Sequence, residues 1–487
     1  MKILFAVSEC VPFIKSGGLA DVAGALPKEL SRLGVDIRVI LPKYQLIPDE
    51  YKKQMKKIAE FTVPVGWRNQ YCGIEELELE GVTYYFVDNE FYFKRSQMYG
   101  DFDEGEQYAY FNRAILDCMM EINFYPDVIH CHDWHTGMVP FLLNEQYRII
   151  EGYQSIKTVF TIHNLQFQGI FPREIIGDLL GLEDRYYQSE QLEFYGNVSF
   201  MKAALVSADK ITTVSPTYQD EIKTAYFGER LDGVLRDRSS DLIGIINGID
   251  TELYNPKTDR ALFSPFGPEN HQARKMGKLE LQRQFGLPED EEKPLIAMVT
   301  RLTKQKGLEL VRGVFHEIMA TGAQLIVLGT GEREFEYFFS HMAAQYFDQC
   351  RVFIGFNEEL AHRVYAGSDL FLMPSKFEPC GLSQLIALRY GSIPIVRETG
   401  GLNDTVKSYN GETGEGNGFT FKNFNAHDML STIERALSYY ENTEEWDSLV
   451  ARVMKMDFSW AQSAKIYQQL YADLVKEELH VFEHQGV

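Results

Sequence analysis

Three stretches of this chain set lysine or arginine beside glycine where an anion can be held. Lys15-Ser16-Gly17-Gly18-Leu19-Ala20-Asp21 lies between an apolar run and a helix start, where free backbone N–H groups and the helix dipole favour negative charge. The ordinary alternative is a flexible loop with one solvated lysine. A dinucleotide site is the weaker reading. The Gly-x-Gly-x-x-Gly spacing is absent, and the second strand ends Ile40-Leu41-Pro42-Lys43, without the acidic residue that would bind ribose. Thr300-Arg301-Leu302-Thr303-Lys304-Gln305-Lys306-Gly307 again follows an apolar run and precedes a helix. A basic turn of this kind is often only solvated. Paired with Lys15, it becomes a place for a diphosphate, which gathers charge as its bond to a sugar breaks and can be neutralised by positioned Lys and Arg without a metal. In Lys376-Phe377-Glu378-Pro379-Cys380-Gly381-Leu382-Ser383-Gln384, Glu378 falls at the carboxyl edge of a sheet, where ligands bind in open α/β folds. It reads either as an acid satisfying a helix start or as a contact to sugar hydroxyls.

Two histidine-bearing pieces complete the set. His130-Cys131-His132-Asp133-Trp134-His135 alternates like a zinc sequence, but no partner stretch completes a ligand set, and a strand-end loop is the better reading. Thr161-Ile162-His163-Asn164-Leu165 puts a histidine at the tip of an apolar strand, as a core histidine or as a substrate contact.

The elements that must position these residues form two series. The first opens with a strand at 2–7, a helix at 20–33 with Val22, Leu26, Leu30 and Leu33 at helical spacing, Gly34 as stop, and a strand at 36–41. Pro27 interrupts that helix and reads as a kink or restart. Apolar runs at 82–87, 127–130, 158–162 and 210–214 extend the sheet, and their lack of alternation fits parallel strands covered on both faces. After an irregular stretch near 255–275 the pattern restarts, with runs at 294–300, 324–328, 351–354, 369–373 and 393–396. The expected fold class is α/β with two doubly wound parallel-sheet domains, 1–246 and 247–459, crossing over at Asn247-Gly248. A helix at 460–487 is expected to pack back on the first. Glu398-Thr399-Gly400-Gly401-Leu402-Asn403-Asp404 echoes the Lys15 stretch and is treated as a similar Gly turn.

Length agrees with two domains, since 487 residues exceed what one core usually organises. The net charge of -22 disfavours nucleic acid and anionic membrane as partners. An anionic small substrate then needs local cations. Six cysteines without a Cys-x-x-Cys pair argue against a disulfide framework and point to a reducing, cytoplasmic location. No signal-like or membrane-spanning run is present.

In this order and on these strand ends, Lys-Ser-Gly-Gly-Leu-Ala-Asp-Val, His-Asp-Trp-His, Arg301 to Gly307 and Glu-Pro-Cys-Gly-Leu-Ser-Gln resemble the bacterial glycogen synthase and plant starch synthase family of retaining glycosyltransferases. The resemblance covers nearly the whole chain. It implies a GT-B fold, two Rossmann-like domains facing across a cleft, and transfer of glucose from ADP-glucose to an α-1,4-glucan with release of ADP and no cofactor or metal. Carried onto matching positions, it implies that Lys15, Arg301 and Lys306 hold the diphosphate, with Gly18 and the amides of Leu382 and Ser383 close by. Glu378, Cys380 and Gly381 would contact the glucosyl group, His163 and Asn247 would line the glucose pocket, and Asp21 and Asp133 would lie nearer the acceptor. Phe356 would stand against adenine. The family is described as reacting by front-face attack, so Glu378 is assigned to positioning and charge stabilisation. Two departures are visible: Ser16 replaces a common threonine, and Ile386 stands where wider retaining families often carry a second glutamate eight positions after the first. The rival readings are a non-catalytic glucan-binding protein, against which Lys15, Arg301, Lys306 and Glu378 argue together, and a phosphorylase dependent on pyridoxal phosphate. The preference for ADP over UDP rests on the resemblance alone.

Overall fold

The computed structural model describes residues 1–485, with side chains described through residue 476. Two compact units emerge: Met1–Asn247 with the chain from Trp460 onward, and Gly248–Ser459.

The first unit contains, in chain order, β1 (Lys2–Ala6), β2 (Asp36–Pro42), β3 (Lys56–Val65), β4 (Arg68–Leu79), β5 (Val82–Asp88), β6 (Val128–His132), β7 (Lys157–Ile162), β8 (Ile170–Pro172), β9 (Glu193–Phe194), β10 (Asn197–Ser199), β11 (Lys210–Thr213) and β12 (Leu242–Gly244). Strands β8, β10 and β9 make a small antiparallel sheet. The main sheet runs β12-β11-β7-β6-β1-β2-β5-β4-β3. It is parallel from β12 to β5, because the connections between those strands are crossovers. Ile3, Leu4, Phe5 and Ala6 of β1 are all fully buried, as are the five residues of β6, which explains the unbroken apolar runs.

The sequence did not disclose the antiparallel pair β3 and β4 that extends this sheet. Strand β3 is the edge, mostly exposed and rich in charge, and carries Pro64, so it lacks the apolar signature of a central strand. Nor does Pro27 break the first helix. Gly18–Arg32 is one continuous helix with Pro27 buried inside it, so of the expected kink or restart the restart does not occur, and the helix is held through its buried apolar face.

The final helix, Ala461–Gln485, belongs to the first unit. Ser463 Oγ donates to Ile246 O at 2.5 Å, Gln468 Nε2 donates to Leu33 O at 3.0 Å, and Tyr471 OH lies 2.6 Å from His130 Nδ1. Residues 486 and 487 of the expected 460–487 helix lie outside the described residues.

The second unit is a six-stranded, all-parallel sheet of β13 (Leu295–Val299), β14 (Gln324–Gly329), β15 (Cys350–Ile354), β16 (Leu370–Met373), β17 (Ile393–Arg397) and β18 (Phe419–Phe421), ordered β15-β14-β13-β16-β17-β18. Its core is drawn from these strands and from Leu308, Phe315, Phe339, Leu385 and Trp446 of the covering helices. In both sheets the order reverses beside the first strand, between β1 and β6 and between β13 and β16. The loops leaving those neighbouring strands turn to opposite faces, which opens a crevice at their carboxyl ends. The Lys15, His130–His135, Arg301–Gly307 and Glu378 stretches lie at or after the ends of these four strands, and His163 follows β7, the neighbour of β6.

Candidate active site

In the second unit the loop after β13 and the loop after β16 close on each other. Gly307 has φ +70, and a Cβ there would stand 1.9 Å from the Pro374 carbonyl oxygen, so only glycine allows this approach. The contact brings Lys306 to Glu378. Lys306 Nζ lies 2.9 Å from Oε1 and 2.8 Å from Oε2, while Ser375 Oγ donates to Oε2 at 2.8 Å. Glu378 is 5% exposed and lies five residues before the helix Ser383–Arg389, so it does not cap that helix. Its carboxylate is instead satisfied by an ammonium and a hydroxyl, the arrangement a buried charge requires. Arg301 remains exposed, with a 3.5 Å contact from Nη2 to Gln305 Oε1.

Beneath Glu378 lies the turn read as an echo of the Lys15 stretch. Gly400 has φ +47, a Cβ at this position would fall 1.9 Å from Glu378 O, and the Gly401 amide donates to the carbonyls of Glu378 and Pro379 at 3.1 Å each. Gln384 Nε2 donates to Cys380 O at 3.0 Å and to Gly381 O at 2.8 Å. The Glu378–Ser383 turn is thus fixed from two sides, with Cys380 buried, Gly381, Leu382 and Ser383 half-buried, and Ser383 Oγ accepting from Tyr365 OH at 3.0 Å. Phe356 is 71% exposed and follows β15, two strands from β13.

In the first unit, the Lys15 loop is less open than its sequence suggests. Glu9, 4% exposed, turns its carboxylate into it: the Ser16 amide and hydroxyl donate to Glu9, the hydroxyl at 2.9 Å, and the Gly17 amide donates at 3.3 Å. The amides expected to be free for an anion are therefore occupied by an internal one. Burial raises the Glu9 pKa, opposed by the Ser16 and Gly17 donors. Lys15 Nζ contacts Asp21 Oδ1 at 2.7 Å, and Gly18 is the first residue of the helix.

At the ends of β6 and β7, Asp133 and His163 meet. Asp133 Oδ1 accepts the His163 amide at 2.8 Å, and the Asn164 amide also serves this carboxylate. Burial still pushes the Asp133 pKa up to about 7. Asp133 has φ 55 and ψ 178, a region normally reserved for glycine, so strain is stored at this position. His132 Nδ1 lies 2.9 Å from His163 Nε2, and burial holds the His163 pKa down at about 3, keeping the ring neutral. His130 bridges Tyr471 and Thr161, each at 2.6 Å. His135 stacks on Trp134 at 4.1 Å. Among the described residues no group of three or more His, Cys, Asp or Glu is arranged to hold a metal ion. Asn247 is 6% exposed, and its Oδ1 has no partner among the described residues.

Sequence reasoning therefore selected Lys306, Glu378, Asp133 and His163, which the fold brings into contact pairwise. It missed Glu9, Ser375, Gln384 and the part played by Gly400 and Gly401. Glu9 left one signal, a carboxylate three residues after a buried strand.

Two Rossmann-like units, one with a bridged Lys–Glu pair at its switch point, match the plan of the GT-B glycosyltransferases. The family model for the starch synthase catalytic domain matches residues 2–237, and that for glycosyl transferases group 1 matches residues 281–449. The chain is 65% identical to the glycogen synthase of Geobacillus stearothermophilus over 484 residues, 99% of this chain and 100% of that one. It is 65% identical to that of Anoxybacillus flavithermus over 475 residues, 98% of each. The catalytic domain of starch synthase IV from Arabidopsis thaliana, solved bound to ADP and acarbose, superposes with a TM-score of 0.92 at 35% identity, covering 98% of this chain and 99% of that one. A sucrose-phosphate synthase from Thermosynechococcus elongatus, 17% identical with a TM-score of 0.62 and covering 98% of this chain and 99% of that one, shares the fold. The chain belongs to the glycogen synthase family.

Proposed function

We propose that this enzyme transfers glucose from ADP-glucose to the non-reducing end of an α-1,4-glucan with retention of configuration. The bond from glucose C1 to the β-phosphate oxygen breaks, and a bond from C1 to the acceptor 4-hydroxyl oxygen forms on the same face. The proton of that hydroxyl passes to the departing phosphate, and ADP leaves. The observation that carries this reading is the Lys306 ammonium held against Glu378 at the β13–β16 switch point. A lysine fixed there supplies positive charge where the diphosphate becomes more negative.

The residue roles follow from chemistry and position. Lys306 and Arg301 neutralise the diphosphate, and Lys15, with Gly18 near it, is assigned to phosphate as well. The amides of Leu382 and Ser383, at the start of a helix, face phosphate oxygen. Glu378, Cys380 and Gly381 hold the glucosyl group, and Phe356 offers an exposed ring to adenine. His163, kept neutral by burial, and Asn247 bind glucose hydroxyls, while Asp133 and Asp21 guide the acceptor. With lysine and arginine available for the leaving group, the reading calls for no metal or cofactor. Six buried cysteines, none of them in a disulfide, agree with a reducing, cytoplasmic setting, and no described helix is long and apolar enough to cross a membrane.

The test is to incubate the protein with ADP-glucose or UDP-glucose and with glycogen, measuring nucleoside diphosphate release and the anomeric linkage of the product. ADP release with new α-linkages is expected, faster than UDP release. Folded protein releasing no ADP overturns the proposal.

A further inference from the structure

Of the four tryptophans, Trp134, Trp446 and Trp460 are 6%, 5% and 2% exposed, whereas Trp67 is 77% exposed. It sits at the tip of the β3–β4 hairpin. It is fixed there by polar bonds: Trp67 Nε1 donates to Asp178 Oδ1 at 3.2 Å, from a segment 111 residues away. The Arg68 guanidinium lies 4.6 Å from the indole centre and is itself held by Asp178, Nη1 donating to the carbonyl at 2.9 Å and Nη2 to Oδ2 at 3.3 Å. Gly66, at φ +58, lets the tip approach so closely that a Cβ would stand 1.9 Å from Asp178 O. The fold thus commits a glycine-only turn and several long-range hydrogen bonds to presenting an indole to solvent.

We infer that Trp67, with Arg68 and Asp178, is a non-catalytic binding site for the α-glucan chain, resting on the reading above that this glucan is the acceptor. A flat indole offers its face to the C–H groups of a glucose ring, and an adjacent carboxylate and guanidinium take hydroxyl hydrogen bonds. The ligand is uncharged, as a chain of net charge -22 favours over an anion. A polymeric acceptor is long enough to engage this platform and the active site together, which raises its effective concentration without new contacts at the reacting end. The ring is held in place before binding, so little further side-chain entropy is lost on association.

The experiment compares the full chain with Trp67→Ala and Trp67→Phe, confirmed as folded by circular dichroism, using glycogen and a short malto-oligosaccharide as acceptors. For Trp67→Ala, migration in glycogen-containing native gels should show about tenfold weaker binding, an aromatic contact of about 1.4 kcal/mol, and KM for glycogen should rise by a similar factor. Trp67→Phe should recover part of the loss. KM for ADP-glucose, and both constants for the short acceptor, should not change. Unchanged glycogen binding overturns the inference, as does an equal loss on the short acceptor. A shift of Trp67→Ala to a smaller species in gel filtration overturns it in favour of a contact between copies of the chain. Absence of ADP release by the wild type with either acceptor would instead sink the proposed function, leaving the gel measurement to judge this site.

Discussion

Lys306 places its ammonium within 2.9 Å of one Glu378 oxygen and 2.8 Å of the other, while Ser375 donates to the second. Lysine and glutamate here are mutually dependent. With its side chain only 7% exposed, Glu378 left without its cation would be a buried charge, and Lys306 without Glu378 would lose its aim.

Replacing Lys306 by alanine should lower kcat by at least two orders of magnitude, since an electrostatic contact at a developing charge is worth about 3 kcal/mol. The coupling makes a sharper test. In Lys306→Ala with Glu378→Gln, the neutral amide removes the orphaned charge, so the double variant should unfold at a higher temperature than Lys306→Ala alone. Additive stability losses in a double-mutant cycle would show that the pair is not coupled.

Gly400→Ala tests the support beneath Glu378. The added methyl group meets the Glu378 carbonyl at 1.9 Å and must hold a left-handed φ of +47, so the turn is displaced. A fall of at least tenfold in kcat is expected, with a lower melting temperature. Wild-type turnover would mean that the turn does not set the position of Glu378.

These two residues also show what the sequence could disclose. Lys306 and Glu378 were legible because each follows an apolar strand beside a glycine, and strand ends in a parallel sheet converge at its switch point. Gly400 was visible only as a repeated Gly-Gly, because its importance comes from a carbonyl more than twenty residues earlier in the chain. Glu9 was hidden for a related reason. Amides in a Gly-rich turn attract an anion whatever its source, and nothing in their spacing tells a ligand from a buried carboxylate of the same chain. The α/β architecture was legible from apolar runs, but the β3–β4 hairpin was not, since β3 buries only alternate residues and so lacks the unbroken apolar run that marks the central strands.

Asp133 gives a pH-dependent test. Its folded pKa, about 7, lies above the ordinary carboxylate value, so the folded state binds the proton more tightly than the unfolded one. Its contribution to stability therefore falls as pH rises from about 4 to about 7, by at most one proton or about 1.4 kcal/mol per pH unit. Asp133→Asn stays neutral and keeps an oxygen for the His163 amide. Its melting temperature relative to wild type should be more favourable at pH 8 than at pH 5. A difference independent of pH would show that Asp133 titrates normally.

His135 should act in the opposite direction. It is 8% exposed, stacks on Trp134, and has an Nδ1 without a partner among the described residues, and burial lowers its pKa to about 3. The unfolded chain takes up a proton near pH 6.5 that the folded chain refuses, so stability is complete above that pH and is lost as pH falls toward 3. At pH 5 the loss from this residue is about 2 kcal/mol. His135→Phe retains an aromatic ring against Trp134 and has nothing to protonate. Urea unfolding at pH 7.5 and pH 5 should show wild type losing about 2 kcal/mol more than the variant across that interval, with similar m-values. Equal losses would mean that His135 is protonated within the fold and that its burial does not oppose acid.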